Sequence, residues 1–526
     1  MNTILGELGK NSKFVELLKN VENKQSPIVI SGLNDMGMLQ LGTAINEFGK
    51  KPICILTYNE IQAKKIYEDI KYFTDKVILF PKKEVVTYDY IAESKDIPYK
   101  RIESLNKIAT KKNLVVITTI EAATQKLPQK DVLYKNKLHF KTGESYNLEE
   151  LKQKLVSLGY SRYDLIEGRG QFSVRGGIVD IATNEKVGIR IEFWGDDIDS
   201  IREFNIETQR SIKNIETATI YPAHEYILEE PAEKTCKKIK EKYKNSKKQD
   251  VIEEDIEQIK TGNYISKIDK YFDCFYEKQE TILDYLNKDY VVFLDEINKI
   301  ETRSKNIKED RKNLERSLIE KERQIPEAIT NILEFEQIQE ILDKKQVIYI
   351  QKQDTQIKVQ GEKYNFNYRT VNYYKSETTT FIEDLKKAVK EKKTIYILTE
   401  NKEKAKKIKS MLEEQEIICK IEEKLDQTII VKSRENVVTI SIGKISTGFE
   451  NYDLNQLVIS ADDLINGEKK KRRVAHTAFK EGEKVVFDEL KIGDYVVHRN
   501  YGIGIYIGVN TIKADGTIKD YIKTII

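Results

Sequence analysis

The sequence predicts a multidomain α/β protein. It comprises a degenerate P-loop α/β domain interrupted by a small β-rich module, then a further α/β domain and a partial β-barrel. Three observations predict it. Residues 1–130 alternate amphipathic stretches with short apolar runs, as a parallel sheet covered by helices requires. Gln171 to Phe204 breaks that alternation and reads as four short strands. Lys491 to Gly508 is rich in β-branched and aromatic residues punctuated by glycine, the composition of a small barrel. At 526 residues the chain is also too long for one core.

In the first domain (1–130), strands are expected at Ile28–Ile30, Ile53–Leu56, Lys76–Phe80 and Leu114–Thr118, with an amphipathic stretch at Glu60–Phe73. The module spans 131–221 and is entered through the helical stretch Leu148–Leu158. Residues 222–345 turn helical and charged, and their one clear strand, Tyr290–Leu294, reads as a return to the first sheet. The module is therefore expected to be an insertion. Lys299–Lys345 reads as a solvated helical connector broken at Pro326. A second α/β unit is expected over 346–467, with strands at Val347–Ile350, Thr394–Leu398 and Leu457–Ser460. The run Glu468 to Arg473 opens a basic and polar linker, 468–490. In the last domain (491–526), Asp515-Gly516 between two β-rich runs is a hairpin signal, since type I′ turns need positive φ.

Ile28 to Leu39 has the frame of a phosphate-binding loop. A strand runs into Gly32 and Gly37 at the G-x-x-x-x-G spacing, with a helix expected to follow. A working loop next needs lysine for the β- and γ-phosphates and serine or threonine for Mg²⁺. Met38 and Leu39 occupy those positions, and neither neutralises phosphate nor ligates a hard cation. The strand ending in Asp295 and Glu296 resembles the acidic partner motif of such sites. The expectation is a nucleotide site that has lost its chemistry, with no ATP turnover. Gly443-Lys444 is no substitute, because Val438 and Ile445 fill the remaining loop positions.

Successive side chains of a strand point to opposite faces. In the module, Ile189, Ile191 and Phe193 therefore face one way, and Arg190, Glu192 and Trp194 the other; Phe172 and Val174 oppose Gln171, Ser173 and Arg175. The single tryptophan of the chain thus stands on the polar face, on the side of Arg190. Trp and Arg dominate binding hot spots. The alternative is a local cation–π pair of Arg190 on Trp194 that binds nothing.

Lysine plus arginine (89) nearly cancels aspartate plus glutamate (86), so a net charge of +3 gives no overall drive toward nucleic acid. Cys54, Cys236, Cys274 and Cys419 show no C-x-x-C spacing, and His139, His224, His476 and His498 form no metal-ligand pattern. With no apolar run near 18 residues and no signal peptide, a cytoplasmic protein without membrane contact is expected.

The blocks R-G-G-I-V-D-I (Arg175 to Ile181), R-I-E-F-W-G-D-D-I-D-S-I-R-E-F (Arg190 to Phe204), E-T-Q-R-S and Y-P-A-H-E (Tyr221 to Glu225) resemble the UvrB-homology module of bacterial transcription-repair coupling factors; UvrB has a similar stretch. Lys491 to Gly508 resembles the RNA polymerase interaction domain of the same family, a Tudor-like barrel shared with CarD-type regulators. The resemblance runs in order along essentially the whole chain. Leu79 to Glu84 and Val115 to Glu121 support it more loosely.

The fold it implies is a UvrB-like degenerate P-loop NTPase domain with an inserted UvrA-binding module, a further α/β domain and a partial Tudor/CarD-like barrel. The partners it implies are UvrA, through Arg175, Arg190 and Trp194, and the RNA polymerase β subunit, with Ile512 as the apolar contact. Trp194 replaces the phenylalanine more usual there. From alternation alone, Ile512 packing inside the barrel remains equally open. In the family the barrel continues into an ATP-driven DNA translocase motor, where ATP, Mg²⁺ and most DNA contact reside, and a regulatory domain. An expression fragment, a truncated gene product and an incomplete gene model are all compatible with a chain ending at Ile526. An unfinished barrel would make the last 35 or so residues the least stable region. The family's N-terminal region folds back to mask the UvrA surface, so an exposed surface is expected without the C-terminal half.

The function expected is non-enzymatic adaptor work in transcription-coupled nucleotide excision repair. A UvrB-like nucleotide-dependent helicase relative and a CarD-like transcription regulator are the alternatives. Met38 and Leu39 argue against the first, and the second leaves the UvrB-like module unexplained.

Overall fold

The structure, a computed structural model, describes residues 2–83, 96–227, 232–260, 271–276, 278–320, 332–352, 359–371, 374, 377–423, 425, 437–461, 495–498, 502–514 and 517–525. It is a mixed α/β chain with several sheets, divided into two compact units, 1–465 and 466–526.

In the first unit the chain lays down β1 (Ile28–Ser31), β2 (Ile53–Thr57), β3 (Val77–Phe80) and β4 (Val115–Thr119). It then leaves this sheet for β5 (Leu138–Lys141), β6 (Ser161–Arg162), β7 (Gln171–Arg175), β8 (Ile178–Ala182), β9 (Val187–Trp194), β10 (Asp197–Asn205), β11 (Ser211–Ile215) and β12 (Thr217–Ile220). It returns with β13 (Val291–Asp295), β14 (Gln346–Gln351) and β15 (Glu362–Asn365). The resulting seven-stranded sheet has the order β15-β1-β14-β13-β2-β4-β3, every pair parallel. Parallel sheets are covered on both faces, which is why β2, β4 and β13 are buried at every position.

The helices follow local rules. Asn59 caps the helix Glu60–Ile70 by accepting from the Gln62 amide at 2.8 Å, and Ala63, Ile66 and Ile70 turn one apolar stripe onto the sheet. Asn34 caps the helix Asp35–Gly49 in the same way, through the Gly37 amide at 2.7 Å.

One strand is placed differently from the sequence expectation. Val347–Ile350 was expected to open the second α/β unit, but β14 is hydrogen bonded between β1 and β13 of the first sheet. A short apolar run announces a buried strand without announcing its neighbours, and here non-local pairing decides the sheet.

The second sheet begins after it. β16 (Tyr368–Thr370), β17 (Thr394–Thr399), β18 (Cys419–Glu422), β19 (Val438–Ile442), β20 (Phe449–Asn451) and β21 (Gln456–Ser460) take the order β16-β20-β21-β17-β19-β18. The helix Asp35–Gly49 lies between the two sheets and is buried from Met36 to Asn46. Its apolar residues share one core with Tyr396, Leu398, Phe449 and Val458. A polar seam crosses that core. Tyr368 Oη donates to Gln40 Oε1 at 2.7 Å, and Gln40 Nε2 donates to Gln456 Oε1 at 3.0 Å.

The inserted module is a six-stranded sheet, β11-β10-β9-β8-β7-β6, antiparallel except between β6 and β7, flanked by the ribbon β5–β12. Its inner face packs Phe172, Val179, Ile181, Ile189, Ile191 and Phe193 against Leu151 and Leu155 of the helix Leu148–Ser157. Gly195 takes φ +65 in the two-residue turn joining β9 to β10, a conformation that favours glycine. The module is pinned to the first domain by a buried pair. Arg101, on the helix Asp96–Thr110, bonds the carboxylate of Glu225 and donates to the Pro81 carbonyl at 2.8 Å, with its guanidinium 4.4 Å from the Phe80 ring centroid. Arg169 adds an ion pair to Glu103 of the same helix at 3.1 Å.

In the second unit, β22 (Tyr495–His498), β23 (Gly502–Ala514) and β24 (Thr517–Ile525) form an antiparallel meander. Asp515 and Gly516 lie outside the described residues, as do Pro326 and the linker 468–490. Ala514 pairs with Thr517.

Candidate functional site

The outer face of the module carries the side chains that alternation assigned to it. Along β9, Ile189, Ile191 and Phe193 are buried, whereas Trp194 is 84 % exposed. Trp194 ends its strand opposite Asp197, beside the turn, so no neighbouring strand covers the indole.

Arg190 is not the cation–π partner of Trp194. Cross-strand pairing sets it opposite Asp180 of β8, and the two make a bidentate bond, Nε to Oδ1 at 2.6 Å and Nη2 to Oδ2 at 2.9 Å. Its guanidinium lies 4.5 Å from the centroid of Phe204 on β10, not against Trp194. Hydrogen bonding to Asp180 pushes the Arg190 pKa further up, against the opposing effect of burial. Arg175, at the end of β7, donates from Nη2 to the same Oδ2 at 2.8 Å. One buried carboxylate therefore gathers the two arginines the sequence had singled out. Phe204 is itself buried among Ile166, Ala182 and Ile206, a small second core on the outer side of the sheet. Further along the face, Glu192 is bonded by Ser200 at 2.8 Å and by Arg202.

The other candidate lies at the carboxyl ends of β1, β14 and β13, where α/β sheets place their ligands. Gly32 takes φ +74, and a Cβ there would stand 1.8 Å from the Phe366 carbonyl oxygen. The helix starts at Asp35, so Gly37 lies within its first turn, with the Tyr368 ring 2.7 Å from where its Cβ would be. Met38 and Leu39 are fully buried in the core between the sheets.

Asp295, at the end of β13, accepts from Thr57 Oγ1 at 2.8 Å and pairs with Lys352. Lys352 also donates to Asp35 at 2.6 Å, and Lys65 pairs with the other Asp35 oxygen at 2.7 Å. Burial works to raise the Asp35 pKa, but Lys352 and Lys65 together hold its carboxyl well below the usual range. Glu296 takes φ +63, accepts from the Lys352 amide at 2.9 Å and pairs with Lys299 at 2.7 Å. A cleft of about 440 Å³ beside it is lined by Tyr58, Glu296, Lys299, Thr302, Arg303 and Gln351. Its cations are already engaged, Lys299 by Glu296 and Arg303 by Glu121.

Ile512 lies on β23 opposite Lys519, and its side chain is outside the described residues. Sequence reasoning missed Asp180, Phe204 and Lys352. Alternation alone would have put Asp180 on the outer face, and pairing β8 with β9 would have set it opposite Arg190. No local signal marks Lys352, which reaches Asp295 because β14 runs between β1 and β13. Among the described residues, no helix is long and apolar enough to cross a membrane.

Comparison with known proteins matches residues 138–226 to the UvrB interaction domain and residues 490–524 to the CarD-like/TRCF RID domain. The chain is 27 % identical over 549 residues to the transcription-repair-coupling factor of Bacillus subtilis strain 168, covering 99 % of this chain and 45 % of that protein. It is 26 % identical over 542 residues to that of Staphylococcus aureus strain RF122, with the same coverage. The chain thus spans about half the length of these relatives. With both domain matches in order and similarity along 99 % of its length, it is recognised as a relative of the transcription-repair-coupling factors, similar to their N-terminal part.

Proposed function

We propose that the chain works as an adaptor in transcription-coupled nucleotide excision repair, docking UvrA through the outer face of the inserted module and the RNA polymerase β subunit through residues 491–526. The single observation that carries this reading is the exposed Trp194 on the same sheet face as the Arg175–Asp180–Arg190 cluster, within the stretch matched to the UvrB interaction domain. A large exposed aromatic sharing a face with an ordered guanidinium is a hot-spot composition. Ile512 is the proposed apolar contact for polymerase, within the CarD-like/TRCF RID match. The setting is the cytoplasm. Translocation along DNA, with its ATP and Mg²⁺, is assigned to the family's motor outside these residues.

The chain itself is proposed to turn over no nucleotide and to need no metal. Four features support this: the early helix start at Asp35, the Phe366 carbonyl against Gly32, the burial of Met38 and Leu39, and the ammonium of Lys352 on Asp295. Magnesium-dependent ATP hydrolysis lost on Asp295→Ala would sink this part and favour the helicase-like alternative.

The test of the adaptor reading is binding of purified UvrA and, separately, of RNA polymerase. UvrA binding that disappears in a folded Arg175→Ala/Trp194→Ala variant supports it. Binding to polymerase alone would favour a CarD-like regulator.

A further inference from the structure

Two arginines of the outer face meet one carboxylate but differ in what they leave available. The Arg190 side chain is 16 % exposed. One edge of its guanidinium is spent on Asp180, its plane is covered by Phe204, and Nη2 also reaches Gln209 Oε1 at 3.5 Å. The Arg175 side chain is 47 % exposed and meets Asp180 through Nη2 alone. A guanidinium carries five N–H donors in a rigid fork, so Arg175 keeps an edge turned outward.

Asp180 is buried, and a buried carboxylate persists only when paired and fully hydrogen bonded. Three N–H donors meet that need: two from Arg190, which anchors it, and one from Arg175, which it in turn holds still. A side chain already immobilised loses less entropy on binding.

We infer that Asp180 is the positioning residue of the docking face: it fixes Arg175 for a carboxylate of the partner, while Arg190 is its internal counter-charge and not a contact. The inference rests on the UvrA-docking reading. It commits the partner surface to a carboxylate beside an apolar recess wide enough for the Trp194 indole.

Trp194 is the only tryptophan of the chain, so docking is read by calorimetry, which works equally in a background that lacks it. Asp180→Asn/Arg190→Gln exchanges the charged pair for a neutral amide pair and leaves no buried charge orphaned, since Arg175, which also loses its carboxylate, is half exposed. UvrA affinity of this pair is measured in three backgrounds: the unmodified chain, Arg175→Ala and Trp194→Ala. The expected loss is about tenfold in the unmodified and Trp194→Ala backgrounds, where Arg175 is present but unheld, and none in Arg175→Ala. A loss of similar size in all three would mean that Arg190 touches the partner or that the face has collapsed, and either overturns the inference. No loss in any background overturns it as well. If the unmodified chain fails to bind UvrA, the docking reading itself falls and the inference with it.

Discussion

Lys352 sets its ammonium against the carboxylate of Asp295, the residue that closes β13. The same ammonium reaches Asp35 at the start of the helix that follows β1. A charge supplied by the chain stands where a phosphate-binding protein would recruit one from solution. It is delivered by β14, the strand that separates β1 from β13.

Lys352→Met should destabilise the first domain by about 3–5 kcal/mol at pH 7, the usual cost of leaving a buried charge without its partner. Denaturant unfolding of variant and parent measures it. The difference should shrink in acid, as the Asp35 carboxylate takes up a proton. An unchanged midpoint would show that Lys65 and Thr57 suffice for the two carboxylates.

The same cluster predicts a pH profile. Burial opposes it, but Lys352 and Lys65 depress the Asp35 pKa, so its contribution is present above the unfolded carboxyl pKa of about 4 and is lost as pH falls toward the folded value. Burial also opposes the charge on Lys352, yet Asp295 and Asp35 raise its pKa. Its contribution is complete below about pH 10 and is lost as pH rises through the folded value. Unfolding free energies measured between pH 3 and 11 should form a plateau with both shoulders, and Lys352→Met should make the alkaline one shallower.

At the module, Trp194→Phe should retain most UvrA affinity and Trp194→Ala should lose about 2 kcal/mol or more, as expected for an exposed aromatic anchor. Neither should alter the thermal unfolding of the free chain, because little of the indole is buried there. Calorimetric binding with parallel melting curves checks both statements. Equal affinity of all three proteins would remove Trp194 from the contact.

Arg101→Ala should cost about 3–5 kcal/mol, since Glu225 would remain buried without its counter-charge. The loss should appear as increased hydrogen exchange in Tyr221–Glu225 and the helix Asp96–Thr110. Protection unchanged in both segments would mean that the Phe80 stacking and remaining contacts hold the module without the ion pair.

Legibility from sequence followed the range of the interactions. The face of β9, the turn at Gly195 and the return of β13 were readable because alternation, turn chemistry and apolar runs are local signals. Trp194 was placed outward for the same reason. Arg190 was placed on the correct face; the alternative that stacked it on Trp194 looked to a residue near in sequence, whereas Asp180 and Phe204, which it does meet, lie on neighbouring strands. The assignment of β14 to the second sheet failed because a buried strand carries no mark of its neighbours. Lys352 was invisible for that reason too, since its role exists only once β14 has been threaded between β1 and β13.

The module's two attachments to the helix Asp96–Thr110 also have a geometric consequence. Arg101 grips Glu225 near its exit, and Arg169 grips Glu103 ahead of β7, where a Cβ on Gly170 would stand 2.0 Å from the Tyr99 hydroxyl. A body held at one point can swivel, but held at two separate points it keeps its heading. A molecule seated on Trp194 therefore acquires a compass bearing relative to the seven-stranded sheet as well as a tether to it.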